Sequence, residues 1–306
     1  MSLSINTPLL ESLPLGQRNN TRVWMKMEAM QPSGSFKMRG VGHACEYYAA
    51  QGAQRFISSS GGNAGLAVAY AGRKLGIPAL IVVPETTSER ARYLLGLEGA
   101  GVKVHGQSWA EAHEFALSVS TKDDAFIHPF DSPLLWEGHA TLIDEVASDG
   151  VKPDAVILSV GGGGLLSGVC EGLQRNGLGH IPVFTAETEG MTSFKAAHQA
   201  GYPVMLPALT GVATSLGARQ VCQRAVEWSR EMRIEPWTVS DQEAVDACLS
   251  FADDHRTLVE PACGAALALL YTQKLPLHEM NDVLVIVCGG STTTLSALQQ
   301  FTKSEK

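Results

Sequence analysis

The sequence has no CxxC pair, no HExxH motif, no block of basic residues and no apolar run long enough to cross a bilayer. Each absence removes a class of function. Six cysteines (Cys45, Cys170, Cys222, Cys248, Cys263 and Cys288) stand singly, which argues against a zinc ribbon or a disulfide framework and fits a reducing compartment. Nine histidines without an HExxH pair argue against a metal centre built from protein side chains alone. Lys and Arg number 23 against 31 Asp and Glu, a net charge of −8, so neither nucleic acid nor an anionic membrane surface is an expected partner. Apolar stretches such as residues 79–83 and 283–287 fall far short of the roughly 20 residues a spanning helix needs. The N-terminal MSLSINTPLL lacks the basic start of a signal peptide, and a cytoplasmic location is expected.

What is present is a core-forming chain. Its 306 residues are 45% hydrophobic, enough for about two domains at the usual roughly 100–200 residues each. Short runs rich in Ile, Val and Phe recur at 56–59, 79–83, 102–105, 155–160, 182–186 and 283–287, the first four ending in or just before Gly, Ser or Pro. Continuous rather than alternating runs predict strands buried on both faces, as in a parallel sheet. Between them lie helix signals. Thr86 with Glu89, Ser108 with Glu111 and Ser240 with Glu243 have capping-box spacing, and residues 63–75 read as a small-residue helix stopped by Gly76. The alternation predicts an α/β fold of doubly wound type, with ligands bound where loops leave the carboxyl ends of strands.

Three glycine-rich loops follow predicted strands. Ser58-Ser59-Ser60-Gly61-Gly62-Asn63-Ala64-Gly65 leads into a helix, whose first N–H groups suit a carboxylate or phosphate; a plain strand-to-helix turn would look the same. Gly161-Gly162-Gly163-Gly164-Leu165 is the stronger signal, because four residues without Cβ let backbone wrap a phosphate at an entropic cost that a mere turn does not require. It matches neither GxGxxG nor GxxxxGK[ST], which disfavours a dinucleotide site and a P-loop. The third, Val287-Cys288-Gly289-Gly290-Ser291, puts a thiol at the end of an apolar strand, where a small core hydrophobe is the commoner fate. Lys37, in QPSGSFKMRG, is flanked by Ser, Gly and Phe; a partly desolvated amine there would suit Schiff-base chemistry, and a surface lysine on a turn is the alternative.

Together these segments resemble the fold-type II (tryptophan synthase β-like) pyridoxal 5′-phosphate enzymes, and within them the L-serine dehydratase/L-threonine deaminase branch of short animal type. QPSGSFKMRG, SSSGGNAG, HPFDSPLLWEGHAT, SVGGGGLLSGV, AETEGMTSF, TSLGA, LVEPACGAALA and IVCGGS occur in family order over nearly the whole chain. The resemblance implies two open, twisted α/β domains with mostly parallel sheets: a large cofactor-binding domain of residues 1–34 and 136–306, and a small domain of residues 35–135 with the substrate-carboxylate loop. It makes Lys37 the Schiff-base lysine and general base, with Phe36 beside the cofactor ring. Asn63 would bond the cofactor's 3′-hydroxyl, while Ser60, Gly61 and Ala64 would line the carboxylate site. Gly161, Gly162, Gly163, Gly164 and Leu165 would bind the phosphate, and Cys288 would meet the pyridine nitrogen. A monovalent cation, potassium, would be held by Glu187, Met191, Ser193, Leu216 and Ala218.

The implied activity is deamination of L-serine to pyruvate and ammonia, and of L-threonine to 2-oxobutanoate, by a homodimer acting on small amino acids. A racemase or a β-replacement enzyme of the same fold is the enzymatic alternative, and a catalytically silent binding protein the non-enzymatic one. Cys288 speaks against the racemase, since that branch typically has serine there. Gly61 stands where many relatives carry a larger residue, which leaves the choice between serine and threonine open. No appended regulatory domain is expected after the third loop. For His128, Trp136, His139 and Glu260 a structural role is the expectation, with Pro261 opening a helix.

Overall fold

The computed structural model describes residues 2–304. Its strands are β1 (Leu9–Glu11), β2 (Arg22–Lys26), β3 (Arg55–Ser58), β4 (Ala79–Val83), β5 (Gly101–Val104), β6 (Asp124–Phe126), β7 (Ala155–Ser159), β8 (Val183–Thr188), β9 (Ile234–Val239) and β10 (Asp282–Ile286). Its helices are α1 (Leu13–Asn19), α2 (Lys37–Ala50), α3 (Asn63–Leu75), α4 (Glu89–Leu97), α5 (Trp109–Ser118), α6 (Pro133–Ser148), α7 (Gly164–Arg175), α8 (Ser193–Ala200), α9 (Gln223–Glu231), α10 (Asp241–His255), α11 (Pro261–Tyr271) and α12 (Leu295–Ser304). No helix among the described residues is long and apolar enough to cross a membrane. The chain forms two compact units: the residues up to Ile5 with Gln31–His139, and Asn6–Met30 with the residues from Ala140 onward.

The smaller unit is built on a parallel four-stranded sheet of order β5-β4-β3-β6. Side chains alternate across it with the two-residue period of a strand. Phe56, Ile81 and Val83 pack with Met38 and Val41 of α2, Leu66 and Val68 of α3 and Leu95 of α4, while Ile57 and Val82 meet Ala112 and Ala116 of α5 on the opposite face. Both faces are therefore covered, as the unbroken apolar runs predict. Strand β5 departs from that expectation: it pairs only with β4, and three of its four residues are exposed, as befits an edge. The cap expected at Thr86 is also corrected. Helix α4 begins two residues later than that cap requires, and Ser88 Oγ accepts from Ala91 N at 3.2 Å instead. The other two capping boxes form, and α3 ends at Gly76 in the left-handed conformation.

The larger unit carries a six-stranded sheet of order β1-β2-β10-β7-β8-β9, parallel except for the β1–β2 pair. Every residue of β7 and β8 is buried. Lys26, at the end of β2, is fully buried, and its Nζ donates to Glu145 Oε2 at 2.5 Å and to the Thr7 carbonyl at 2.7 Å. Such a charge is tolerated in a core only when paired and hydrogen-bonded. Helix α11 is buried from Pro261 through Leu270 and touches β7, β8 and β9. It lies close to α10, since a Cβ on Gly264 would fall 2.1 Å from the Ala244 carbonyl oxygen and 2.6 Å from Cys248 Sγ. Gly264→Ala is therefore expected to destabilise the protein by about 1–3 kcal/mol, measured as a lower urea midpoint at unchanged slope.

Candidate active site

In the smaller unit, Lys37 is the first residue of α2 and Phe36 is its N-cap. The tight entry uses Gly34, whose φ of +78° permits the bond from its N–H to the Gln31 carbonyl. Lys37 is half-buried; its Nζ donates to the Pro129 carbonyl at 2.5 Å and stands 5.1 Å from the Phe36 ring centroid. Behind Phe36 lies His139, ring to ring at 5.0 Å. His139 is fully buried, and neither of its ring nitrogens has a hydrogen-bond partner among the described residues. Burial, reinforced by the positive charges of Lys37 and Arg39, holds its pKa well below the usual histidine value, so it is a neutral ring. A Cβ on Gly40 would fall 2.5 Å from the Leu135 carbonyl oxygen and one on Gly138 2.7 Å from the Gly40 Cα, so α2 and α6 cross backbone to backbone. The glycine that closes the lysine motif serves that crossing.

The first glycine loop leaves β3 and enters α3. Ser58 Oγ donates to the Ile127 carbonyl at 3.0 Å, Ser59 Oγ meets His113 Nδ1 at 3.0 Å, and Ser60 Oγ accepts from Gly62 N at 3.3 Å. Gly65 has no alternative, because a Cβ there would sit 1.8 Å from the Ser60 carbonyl oxygen. Asn63 and Ala64, both buried, are the first two residues of α3, where backbone N–H groups have no intrahelical acceptor and favour an anion. Gly61 lies against Thr87, whose Cγ2 would be 2.7 Å from an added Cβ.

In the larger unit, the tetraglycine turn joins β7 to α7 with Gly163 as N-cap at a φ of +89°. An added Cβ would lie 2.7 Å from Ala225 Cβ and 3.0 Å from Cys222 Sγ at Gly163, and 3.0 Å from the Leu216 Cα at Gly161. Larger residues would fill this turn, and with the helix start behind it the bare backbone fits a phosphate group. Gly164 and Leu165 open α7 and are buried; Gly162 accepts from Cys222 N at 3.0 Å.

At the end of β8, Glu187 is fully buried and accepts from Phe194 N at 2.7 Å and Lys195 N at 2.8 Å, at the start of α8. Burial pushes its pKa up to about 7 despite those two donors and the Lys195 charge, which act the other way. Ser193 Oγ donates to the Gly161 carbonyl at 3.4 Å, Met191 N to the Thr188 carbonyl, and Ala218 N to the Leu216 carbonyl at 2.7 Å. Glu187, Ser193, Gly161 and Leu216 thus form one neighbourhood at the carboxyl ends of β7 and β8, with Met191 and Ala218 adjoining it. Among the described residues there is no cluster of three or more His, Cys, Asp or Glu side chains suited to a metal ion.

Cys288 follows β10 and is buried. A hydrogen bond with Cys263, then burial, then the nearby Cys263, Glu260 and Cys248 raise its pKa well above the ordinary thiol value, so it stays protonated. Glu260, the N-cap of α11, accepts from Thr292 Oγ1 at 2.8 Å. A Cβ on Gly290 would collide with its carboxyl carbon at 2.0 Å, and both Gly289 and Gly290 have positive φ. Pro261 opens α11 as expected. The neighbourhood of Cys263 and Cys248 around Cys288, and the role of the Pro129 carbonyl, have no signal in the sequence.

Two α/β units of mostly parallel strands, a lysine opening a helix and a bare glycine turn suited to phosphate define the class: the family model "Pyridoxal-phosphate dependent enzyme" matches residues 2–289. An L-serine dehydratase of Dictyostelium discoideum is 48% identical over 98% of this chain and 91% of its own length. The human L-serine dehydratase/L-threonine deaminase is 47% identical over 97% and 94%. A crystal structure of an L-serine ammonia-lyase from the fungus Rhizomucor miehei superposes with a TM-score of 0.94 at 37% identity, covering 100% of both chains. The chain belongs to the L-serine dehydratase/L-threonine deaminase family of pyridoxal-phosphate enzymes.

The raised pKa of Glu187 has a measurable consequence. The folded chain keeps a proton that the unfolded chain releases near pH 4.5, so stability is full below that pH and falls as pH rises to about 7. Glu187→Gln is expected to flatten this fall, a change of about 1–3 kcal/mol between pH 4.5 and 7 in denaturant titrations.

Proposed function

We propose that the protein removes water from L-serine, giving pyruvate and ammonia after hydrolysis of the released enamine, and converts L-threonine to 2-oxobutanoate in the same way. What carries this reading is the L-serine dehydratase that matches 98% of the chain at 48% identity; the local geometry supports it residue by residue.

Bound pyridoxal phosphate supplies an electron sink for the charge that develops at the substrate α-carbon. The residues around it divide the remaining work. Gly161, Gly162, Gly163, Gly164 and Leu165 would hold the phosphate through backbone donors at the head of α7, and Asn63 would bond the ring hydroxyl. Phe36 would pack beside the ring, and Cys288 would face the ring nitrogen. A neutral thiol there would not hold a proton on that nitrogen as a carboxylate would. Ser60, Gly61 and Ala64 receive the substrate carboxylate at the head of α3, where the helix end favours negative charge. Lys37 is the residue whose amine would hold the cofactor. Its amine would take the substrate α-proton as general base. In this reading a domain of residues 1–34 and 136–306 would bind the cofactor phosphate, and a domain of residues 35–135 would carry the carboxylate loop.

Glu187, the Ser193 hydroxyl and the carbonyls of Met191, Leu216 and Ala218 form the set that would hold potassium beside the phosphate turn. A buried carboxylate with a raised pKa beside several oxygens gains from a cation. A homodimer in the cytoplasm completes the reading, on the strength of the family resemblance.

The test is an assay of cofactor-loaded protein with L-serine, L-threonine and D-serine, following 2-oxo acid and serine enantiomers. L-Serine is expected to yield pyruvate, with Lys37→Ala losing at least about 1,000-fold; racemised serine with little oxo acid would replace this reading with a racemase. Exchanging potassium for tetramethylammonium is expected to lower activity and thermal stability together, and Glu187→Gln to abolish that dependence.

A further inference from the structure

The HPFD segment after β6 is not accounted for by the roles above. His128 begins a turn in which its own Nδ1 accepts the backbone N–H of Phe130 at 3.2 Å and of Asp131 at 2.8 Å. This is the pattern by which Asn or Asp side chains close a turn two and three residues ahead. A ring nitrogen that accepts two N–H groups carries no proton, so the ring is neutral with its proton on Nε2. Between those residues lies Pro129, buried, whose carbonyl receives the Lys37 amine at 2.5 Å. The turn is anchored at both ends. Ile127 N donates to the Ile57 carbonyl of β3 at 2.8 Å, and Trp136 Nε1 donates to the Phe130 carbonyl at 3.0 Å.

We propose that His128 is a positioning residue for Lys37, folding residues 128–131 so that the Pro129 carbonyl holds the lysine amine in one orientation. The inference rests on the reading of Lys37 as the reactive amine. An amine that donates one N–H to a fixed carbonyl has a defined direction for its lone pair, and defined direction is what attack on an aldehyde and removal of a proton both require. Pro129 suits the task because it has no N–H to compete for His128 and its φ is fixed.

The surroundings favour the acceptor form of the ring. His113 of α5 and Lys37 of α2 are the titratable groups facing His128 from neighbouring elements, and Asp131 lies in its own turn. The rings of Trp109, His113 and Phe130 meet it edge-on. Burial first, and then His113 and Lys37, push its pKa down to about 4. The two N–H bonds therefore persist across the range in which the lysine works.

The test compares the full-length protein with His128→Asn, which keeps an acceptor at the same place, and His128→Phe, which keeps an aromatic ring without one. Apoprotein is mixed with pyridoxal phosphate, capture is followed by absorbance, and borohydride reduction with peptide mapping identifies the lysine modified. His128→Phe is expected to capture cofactor on Lys37 about tenfold more slowly or worse, and to shift the pH profile of Lys37 labelling by an amine reagent. His128→Asn is expected to restore both. In histidine-labelled unmodified protein, nitrogen NMR is expected to show His128 unprotonated at Nδ1 from pH 8 to pH 5, a measurement that stands even where a variant does not fold. Parental capture by a folded His128→Phe, absence of rescue by a folded His128→Asn, or a proton on Nδ1 overturns the proposal. Covalent capture by Lys37→Ala on another lysine would instead overturn the reading of Lys37 itself.

Discussion

The constraint on which the rest depends is the burial of parallel strands on both faces. In β7, Val156, Ile157 and Leu158 expose nothing to solvent, and both edges of the strand are hydrogen-bonded, to β10 and to β8. Such a strand can carry no chemistry along its length, because any polar side chain there would lose its water. Function is displaced to the carboxyl ends, where backbone turns toward helix starts rich in unpaired N–H groups. Each of the three glycine loops leaves an interior strand of its sheet: β3 in one unit, β7 and β10 in the other. Glu187 ends a fourth interior strand, β8.

Close approach of backbone then decides the composition of those loops. The Ser60 carbonyl lies where a side chain at Gly65 would begin, and Ala225, Cys222 and Leu216 press on the tetraglycine turn. The entropy lost by ordering glycine is a cost of folding. It is offset by packing from α3, α7 and the segment around Leu216, so that the anion-facing N–H groups are already ordered before any ligand arrives. Gly40 and Gly138 make the same trade at the crossing of α2 and α6, which fixes where Lys37 begins its helix.

This distribution explains what could be read from the residues alone. The glycine loops, the Lys37 motif and the helix stop at Gly76 are local, so their meaning lies within a few neighbouring residues. Strands whose cause lies elsewhere were hidden. β2 ends in Lys26, which no hydropathy pattern would bury; its partner Glu145 is 119 residues away. β9 contains Pro236, which is tolerated because the strand lies at a sheet edge and pairs only with β8. Thr86 has capping-box spacing with Glu89, yet Ser88 is the residue that caps α4. The thiols beside Cys288 come from α10 and α11, 40 and 25 residues upstream, a proximity that exists only after those helices cross at Gly264.

Burial also sets the charge state of two histidines. Near Lys37, the positive charges of Lys37 and Arg39 add to desolvation at His139, and those of His113 and Lys37 add to it at His128. Both rings are thereby kept neutral and weakly basic, though histidine is otherwise the usual proton carrier near neutral pH. A histidine with its pKa near 4 cannot retain a proton taken from carbon at pH 7, whereas an alkyl amine can. Of the two histidines, one backs the ring of Phe36, and the other spends its lone pair on the backbone. In the proposed reading of Lys37 as general base, its two neighbouring histidines are too weakly basic to share that work.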